Sequence, residues 1–176
     1  MLININRISI IGGCGTGKTT LANNLGNTLN LPVYHLDGFH HLKDWKVRDK
    51  VERDEMIINK INEYKWVIDG TYPTTLDKRI EKSDLVIYLD YSSFAQIKGV
   101  FKRFLKNHGK EKEEIPGCKE QMTLKFFLYV LNWRKNKRPK VITYIEKVDK
   151  RKLLIFKSRR QLNKWYKKEF NKRIII

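Results

Sequence analysis

The sequence has no run of 18 apolar residues, so it offers no span for crossing a bilayer. Only two of its 176 residues are cysteines, Cys14 and Cys118, too few and too isolated for a disulfide framework or a C-x-x-C centre. A reducing cytoplasm is the expected compartment, and no leader is expected because the chain enters an apolar run within a few residues. Cys14 is expected to be simply a small residue of its loop, although its oxidation there would obstruct the loop. No N-K-x-D tetrapeptide follows an apolar run, which leaves guanine selectivity of the GTPase kind unsupported. Internal repeats and low-complexity linkers are also missing, and the length suits a single core, so residues 1–176 read as one domain.

Acidic residues are scarce in only one half. Residues 1–90 hold 12 Lys/Arg against 12 Asp/Glu, whereas residues 91–176 hold 25 against 7, which is the whole net charge of +18. Such a half attracts nucleic acid or other polyanions non-specifically, or is simply a lysine-rich solvated surface.

What the chain does carry is Gly12-Gly13-Cys14-Gly15-Thr16-Gly17-Lys18-Thr19, which fits G-x-x-x-x-G-K-[ST] at every fixed position. The apolar run from Arg7 to Ile11 precedes it. Leu21, Leu25 and Leu29 follow at helical spacing, so it stands between a strand and a helix. Gly12 to Thr20 are the expected nucleotide-binding residues. Glycines let backbone N–H groups close on phosphate oxygens, and a helix N-terminus adds partial positive charge. Lys18 is expected to reach the β- and γ-phosphates of ATP, and the Thr19 hydroxyl to ligate Mg²⁺.

Strands are expected at 7–11, 33–37, 65–69, 85–90 and 152–156, alternating with helices at 19–29, 48–64, 75–82, 93–107, 121–136, 139–148 and 159–169. The alternation predicts an α/β P-loop fold, a five-stranded parallel sheet with helices on both faces. Ligands of such sheets gather at the carboxyl ends of the strands. Asp37 and Asp69 fall there. Asp37 suits a general base for an acceptor hydroxyl, and Asp69 an acidic group holding Mg²⁺ directly or through water; each could also be a turn aspartate. Arg103 could stabilise transferring phosphoryl charge or be an exposed helix charge, with Arg79, Arg134 and Arg138 as weaker candidates. His40 and His41 would point apart on a strand, and a metal site there is not expected. Trp45 could cover a ligand, while Trp66, Trp133 and Trp165 read as core. Residues 108–119 read as a mobile charged loop, and the tail at 173–176 is too short to classify.

The segments Gly12–Thr19, Tyr34–Asp37, Trp66–Tyr72, Thr75–Arg79 and Asp84–Asp90, in this order and spacing, resemble the bacterial topology modulation proteins, relatives of adenylate kinase and shikimate kinase. The likeness continues through Lys102-Arg103, Gly117-Cys118 and Arg138-Pro139. It implies an adenylate-kinase-like fold with a lid at about 108–119, an acceptor segment at about 38–64 and transfer of the ATP γ-phosphate to a small molecule. The family name adds a link to DNA topology. By position, Lys18 and Thr19 match the kinase phosphate loop, Asp69 the acid of the Asp-Gly segment, and Arg103 the arginine that opens the lid. Three departures stand out. Thr71 replaces the family's asparagine. The lid reads Lys110-Glu-Lys-Glu-Glu114, without arginine's bidentate fork. The Asp-Gly-Phe-Pro-Arg segment of adenylate kinases is missing, which argues against AMP as the acceptor. Three readings follow: a kinase of unidentified acceptor, an ATP-controlled nucleic-acid-associated regulator, and a slow ATPase. The sequence leaves the oligomeric state open.

Overall fold

The computed structural model describes residues 5–172 and Ile174. Residues 1–4, where no leader is expected, and most of the tail at 173–176 lie outside the described residues.

Hydrophobic runs become strands because both of their faces are covered. β1 (Arg7–Gly12) leads through the glycine loop into α1 (Lys18–Leu29). β2 (Val33–His35), α2 (Leu36–His40), a short 3₁₀ turn (Lys43–Trp45) and α3 (Lys50–Ile61) follow. Next come β3 (Trp66–Asp69), α4 (Pro73–Lys82), β4 (Leu85–Leu89) and α5 (Ser93–Asn107). A hairpin of β5 (Glu111–Lys112) and β6 (Ile115–Lys119) precedes α6 (Leu124–Asn136) and α7 (Arg138–Ile145). β7 (Leu153–Phe156) and α8 (Arg159–Phe170) complete the order.

The main sheet has the order β2-β3-β1-β4-β7, and every pairing is parallel. Alternate residues of each strand serve opposite faces. Ile8 and Ile10 of β1 and Ile87 of β4 pack with Leu21 and Leu25 of α1 and with Leu162 and Tyr166 of α8. Ile11, Val86 and Tyr88 face the other way, against α4, α6 and α7 through Leu76, Trp133 and Val141. Trp66 and Ile68 of β3 take Leu36, Ile57 and Ile61 from α2 and α3. Fully burying each such aliphatic side chain is worth about 1.5–3 kcal/mol.

Three expectations are corrected. The second strand ends at His35, because the chain turns there into α2, so Asp37 belongs to a helix rather than to a strand end. His40 and His41 therefore do not point apart: their rings meet edge to face at 4.5 Å. The segment 108–119 is not a loose loop but the β5–β6 hairpin, seated on the 3₁₀ turn and α2. Cys118 explains part of that seating. It is fully buried, donates through Sγ to the Leu42 carbonyl at 3.2 Å and accepts from the Trp45 N–H at 3.2 Å.

Candidate functional site

The glycine loop is shaped by backbone that other residues would block. Gly15 has φ +69°, and a Cβ there would come within 2.3 Å of the Gln96 carbonyl. Thr16 is buried and donates to the Gly13 carbonyl at 2.9 Å, closing the turn from inside. The Lys18 ammonium donates to the same carbonyl at 2.9 Å. α1 begins at Gly17 without a side-chain cap and with no acidic residue in its first turn. The first amides of the helix, from Lys18, Thr19 and Thr20, are thus left for an anion.

Beside the loop, the Thr19 hydroxyl donates to Asp69 Oδ2 at 3.2 Å. Asp69 ends β3 and is buried, and its other oxygen meets His35 Nδ1 at 2.5 Å. His35 Nε2 lies 3.0 Å from Asn23 Oδ1 of α1. Burial pushes the His35 imidazole down, but the hydrogen bond and charge of Asp69 outweigh it and raise the group above its ordinary value. A cavity of about 20 Å³ lies here, lined by the oxygen donors Thr19, Asp37, Asp69 and Glu114 but also by His35, Arg103 and Lys112. Among the described residues no group of three His, Cys, Asp or Glu is placed to hold a metal, so Thr19 and Asp69 fit Mg²⁺ only as two oxygen donors completed by phosphate oxygens and water. Sequence reasoning missed His35. Its signal was the register that sets it directly across from Asp69 on the neighbouring strand, and register is not visible in the sequence.

A second cavity, of about 580 Å³, opens from the loop toward α6 and the hairpin. Gly12, Cys14, Lys18, Asp37 and Arg103 are among the residues that line it. The Asp37 side chain is open to this cleft, although protein surrounds the cleft closely. Burial pushes its carboxyl up. The Lys18 charge, the Tyr72 hydrogen bond and the Lys112 charge outweigh that and hold it below the ordinary carboxylate range. The Tyr72 hydroxyl donates to Asp37 Oδ1 at 2.8 Å, and burial beside that carboxylate keeps the phenol protonated. Burial also raises the Cys14 thiol, so it stays protonated at neutral pH.

Arg103 reaches the cavity but is not unpartnered. It pairs with Glu120 at 3.0 Å, and Lys112 approaches the same buried carboxylate at 3.6 Å. The remaining arginines serve elsewhere. Arg134 and Arg138 converge on Asp90 at 2.8 and 2.7 Å, tying the end of β4 to α6 and α7. Arg79 is fully buried and donates to the Gly70 carbonyl at 2.7 Å, and burial lowers its guanidinium to about 10. It anchors the turn after Asp69 from beneath. Thr71 bridges the strand ends: its hydroxyl donates to the Gly12 carbonyl at 2.9 Å and accepts from the Gly12 N–H at 3.1 Å.

Trp45 reaches the cavity through an unusual backbone. Asp44 and Trp45 have φ of 59° and 60°, left-handed values that cost non-glycine residues roughly 1–2 kcal/mol each. Such strain persists only where its surroundings over-determine it. Here Cys118 holds the Trp45 N–H, and the Lys112 ammonium lies 5.7 Å from the indole ring centre.

The molecule resembles solved P-loop kinases. The shikimate kinase of Acinetobacter baumannii, solved in complex with shikimate, superposes with a TM-score of 0.62 at 15% identity, over 94% of this chain and 93% of that one. This is a shikimate-kinase-like P-loop fold. The shikimate kinase of Bacteroides thetaiotaomicron gives 0.52 at 20% identity, over 88% of this chain and 86% of that one. No protein-family model matches the chain, and neither does any curated protein. The likeness to topology modulation proteins therefore rests on the motifs quoted above, while the solved structures show the fold.

Proposed function

We propose that the protein is a cytoplasmic, Mg²⁺- and ATP-dependent phosphotransferase acting on a small hydroxyl-bearing acceptor. The observation that carries this reading is that Lys18, Asp37 and Arg103 open on one cavity above the glycine loop. Gly12 to Thr20 hold the triphosphate, and Lys18 follows its β- and γ-phosphates. Thr19 and Asp69 would hold Mg²⁺, which would offset phosphate charge. Asp37 orients the acceptor hydroxyl and accepts its proton as the oxygen bonds to the γ-phosphorus and the bond to ADP breaks. A carboxylate held low in pKa is ionised at neutral pH, as this role requires. Arg103 adds positive charge beside the transferring group. The hairpin closes the cleft against water.

The test is a screen of nucleosides, nucleotides and metabolites for acceptor-dependent ADP release, with Lys18→Ala as control. Stimulated release that disappears in the variant supports the reading. Release that no acceptor stimulates leaves a slow ATPase.

The basic excess in residues 91–176 favours a second reading, a nucleic-acid-associated regulator whose ATP site controls its shape. Under that reading DNA changes ATP affinity by the same factor as ATP changes DNA affinity.

A further inference from the structure

α5 and α6 pack against each other, and both turn large apolar side chains outward. On α5 these are Phe94, Phe101 and Leu105, which are 77, 50 and 66% exposed. On α6 they are Leu124, Phe127, Leu128 and Leu131, and Leu124 is 74% exposed. The α6 set has the spacing i, i+3, i+4, i+7, which makes one stripe along the helix. That stripe is not the packed side of α6. Val130 and Trp133 are buried, and Phe126 and Tyr129 line the large cavity with Trp133. At about 3.6 residues per turn, Leu124 and Leu131 stand roughly half a turn round the helix from Trp133. α5 likewise buries Gln96 and Val100 and leaves its phenylalanines on another flank. Arg134, near the end of α6, donates to the Tyr91 carbonyl just ahead of α5, so the two helices run antiparallel. Exposed apolar residues scattered singly are ordinary, whereas stripes of them on two neighbouring helices mark a docking face.

The charge around the stripes has one sign. Residues 91–110 and 121–145 contain no Asp or Glu, so neither helix carries a carboxylate to neutralise its lysines. Lys98, Lys102 and Lys106 follow one another at i+4 spacing and edge the α5 stripe, and Lys135 extends the α6 stripe one turn beyond Leu131. All four are exposed. A second copy of the chain would set these lysines against their own kind. A peptide helix seats in a groove, whereas the α6 stripe is a ridge that points away from the packed side. An anionic bilayer suits both features. Its acyl boundary takes the apolar ridge, and its headgroups meet lysines whose stems lie along the apolar surface.

We propose that the outward face of α5 and α6 docks on an anionic lipid surface. The phenylalanine and leucine stripes enter the boundary between headgroups and acyl chains, and the flanking lysines meet the headgroup phosphates. The helices lie on the membrane, since no helix among the described residues is long and apolar enough to cross it. Docking of this kind holds whether or not the protein transfers phosphate.

The experiment sediments the full chain with vesicles of phosphatidylcholine, either alone or with about 30% phosphatidylglycerol, at about 100 mM salt. The chain should bind the mixed vesicles and leave the neutral ones. Leu124→Gln with Leu131→Gln, and Phe94→Gln with Phe101→Gln, should each weaken binding about tenfold or more. Lys98→Gln with Lys102→Gln should do so to a similar extent, about tenfold. Thermal melts confirm that each double variant is folded. Loss in the lysine variant with full binding in both apolar variants shows attraction of charge alone and overturns the docking face. Equal binding to neutral vesicles, or full binding in all three variants, overturns the proposal as well. So does a wild-type chain that ignores both vesicles. Sedimentation equilibrium then assigns the face to a second copy if the wild type is dimeric and the leucine variant monomeric, and to a protein partner if the wild type is monomeric.

Discussion

Asp37 and Lys18 line one cavity, and under the proposed function that single carboxylate serves the acceptor hydroxyl. Its substitution by asparagine keeps size and hydrogen bonding while removing the proton acceptor. Asp37→Asn is expected to lower turnover by about 10²–10⁴-fold, with Mg²⁺–ATP affinity within a factor of about three. Rapid-quench turnover beside ATP titration checks this, and full turnover in the variant removes Asp37 from the chemistry. Under the proposed function Asp69 would serve the metal instead. Asp69→Asn and Thr19→Ala each delete an oxygen donor from the small cavity beside the loop. Both should raise the Mg²⁺ concentration needed for half-maximal ADP release about tenfold or more, with excess Mg²⁺ recovering part of the rate. A magnesium titration identical to wild type would return Asp69 to the role of a turn residue.

The hairpin and the β4 clamp act as elements. The hairpin can seat on α2 only because residue 38 has no side chain: a Cβ on Gly38 would approach the Glu114 carbonyl to 2.4 Å. Gly38→Ala should therefore hold the hairpin away from the cleft. A closure penalty of about 1.4 kcal/mol corresponds to about a tenfold rise in acceptor KM, with acceptor-independent ATP hydrolysis rising relative to transfer. Parallel assays with and without acceptor read both quantities. At the end of β4, Asp90 gathers Arg134 and Arg138. The Arg138 hydrogen bond first, against the opposing effect of burial, and then Arg134 lower its pKa in the folded protein. A carboxyl with a depressed folded pKa contributes stability that is present above its unfolded pKa, near 3.9, and is lost as pH falls through the folded value. Asp90→Asn should thus lower stability by about 1–3 kcal/mol at pH 7. The gap from wild type should narrow as the pH falls below about 4. Urea unfolding across that range measures it, and a gap independent of pH would show that the carboxylate charge is irrelevant.

Over the whole molecule the charge is polarised, and the exposed lysines of α5, α6 and α8 belong to the basic half. Nucleic acid should bind at low salt under either functional reading, so binding alone decides nothing. Six to ten phosphate contacts lose roughly 10³–10⁵ in affinity between 50 and 200 mM salt. Under the phosphotransferase reading, DNA binding should fade over that range without responding to ATP, while phosphoryl transfer persists. Fluorescence anisotropy with labelled duplex at both salts, with and without ATP, provides the measurement. Binding that survives 200 mM salt and shifts with ATP would favour the regulator. No helix among the described residues is long and apolar enough to cross a membrane.

The phosphate loop, the five parallel strands and most helix spans were legible in the sequence, because glycine spacing and hydrophobic period are local quantities. The meeting of Thr19 at the start of α1 with Asp69 at the end of β3 could be anticipated for the same reason: a motif and a strand end place them without reference to the rest of the chain. Tertiary structure decided what depends on distant partners. The parallel register of β2 and β3 set His35 on Asp69. Asp90 drew Arg134 and Arg138 away from the cavity, and Glu120 engaged Arg103. Burial of Cys118 against Leu42 and Trp45 turned a charged stretch that reads as a loose loop into a seated hairpin. Hydrophobic periodicity records which face of an element is covered, not which side chains meet across the interface. The lining of the large cavity, drawn from α2, the 3₁₀ turn, the hairpin and α6, therefore became visible only when those elements were brought together.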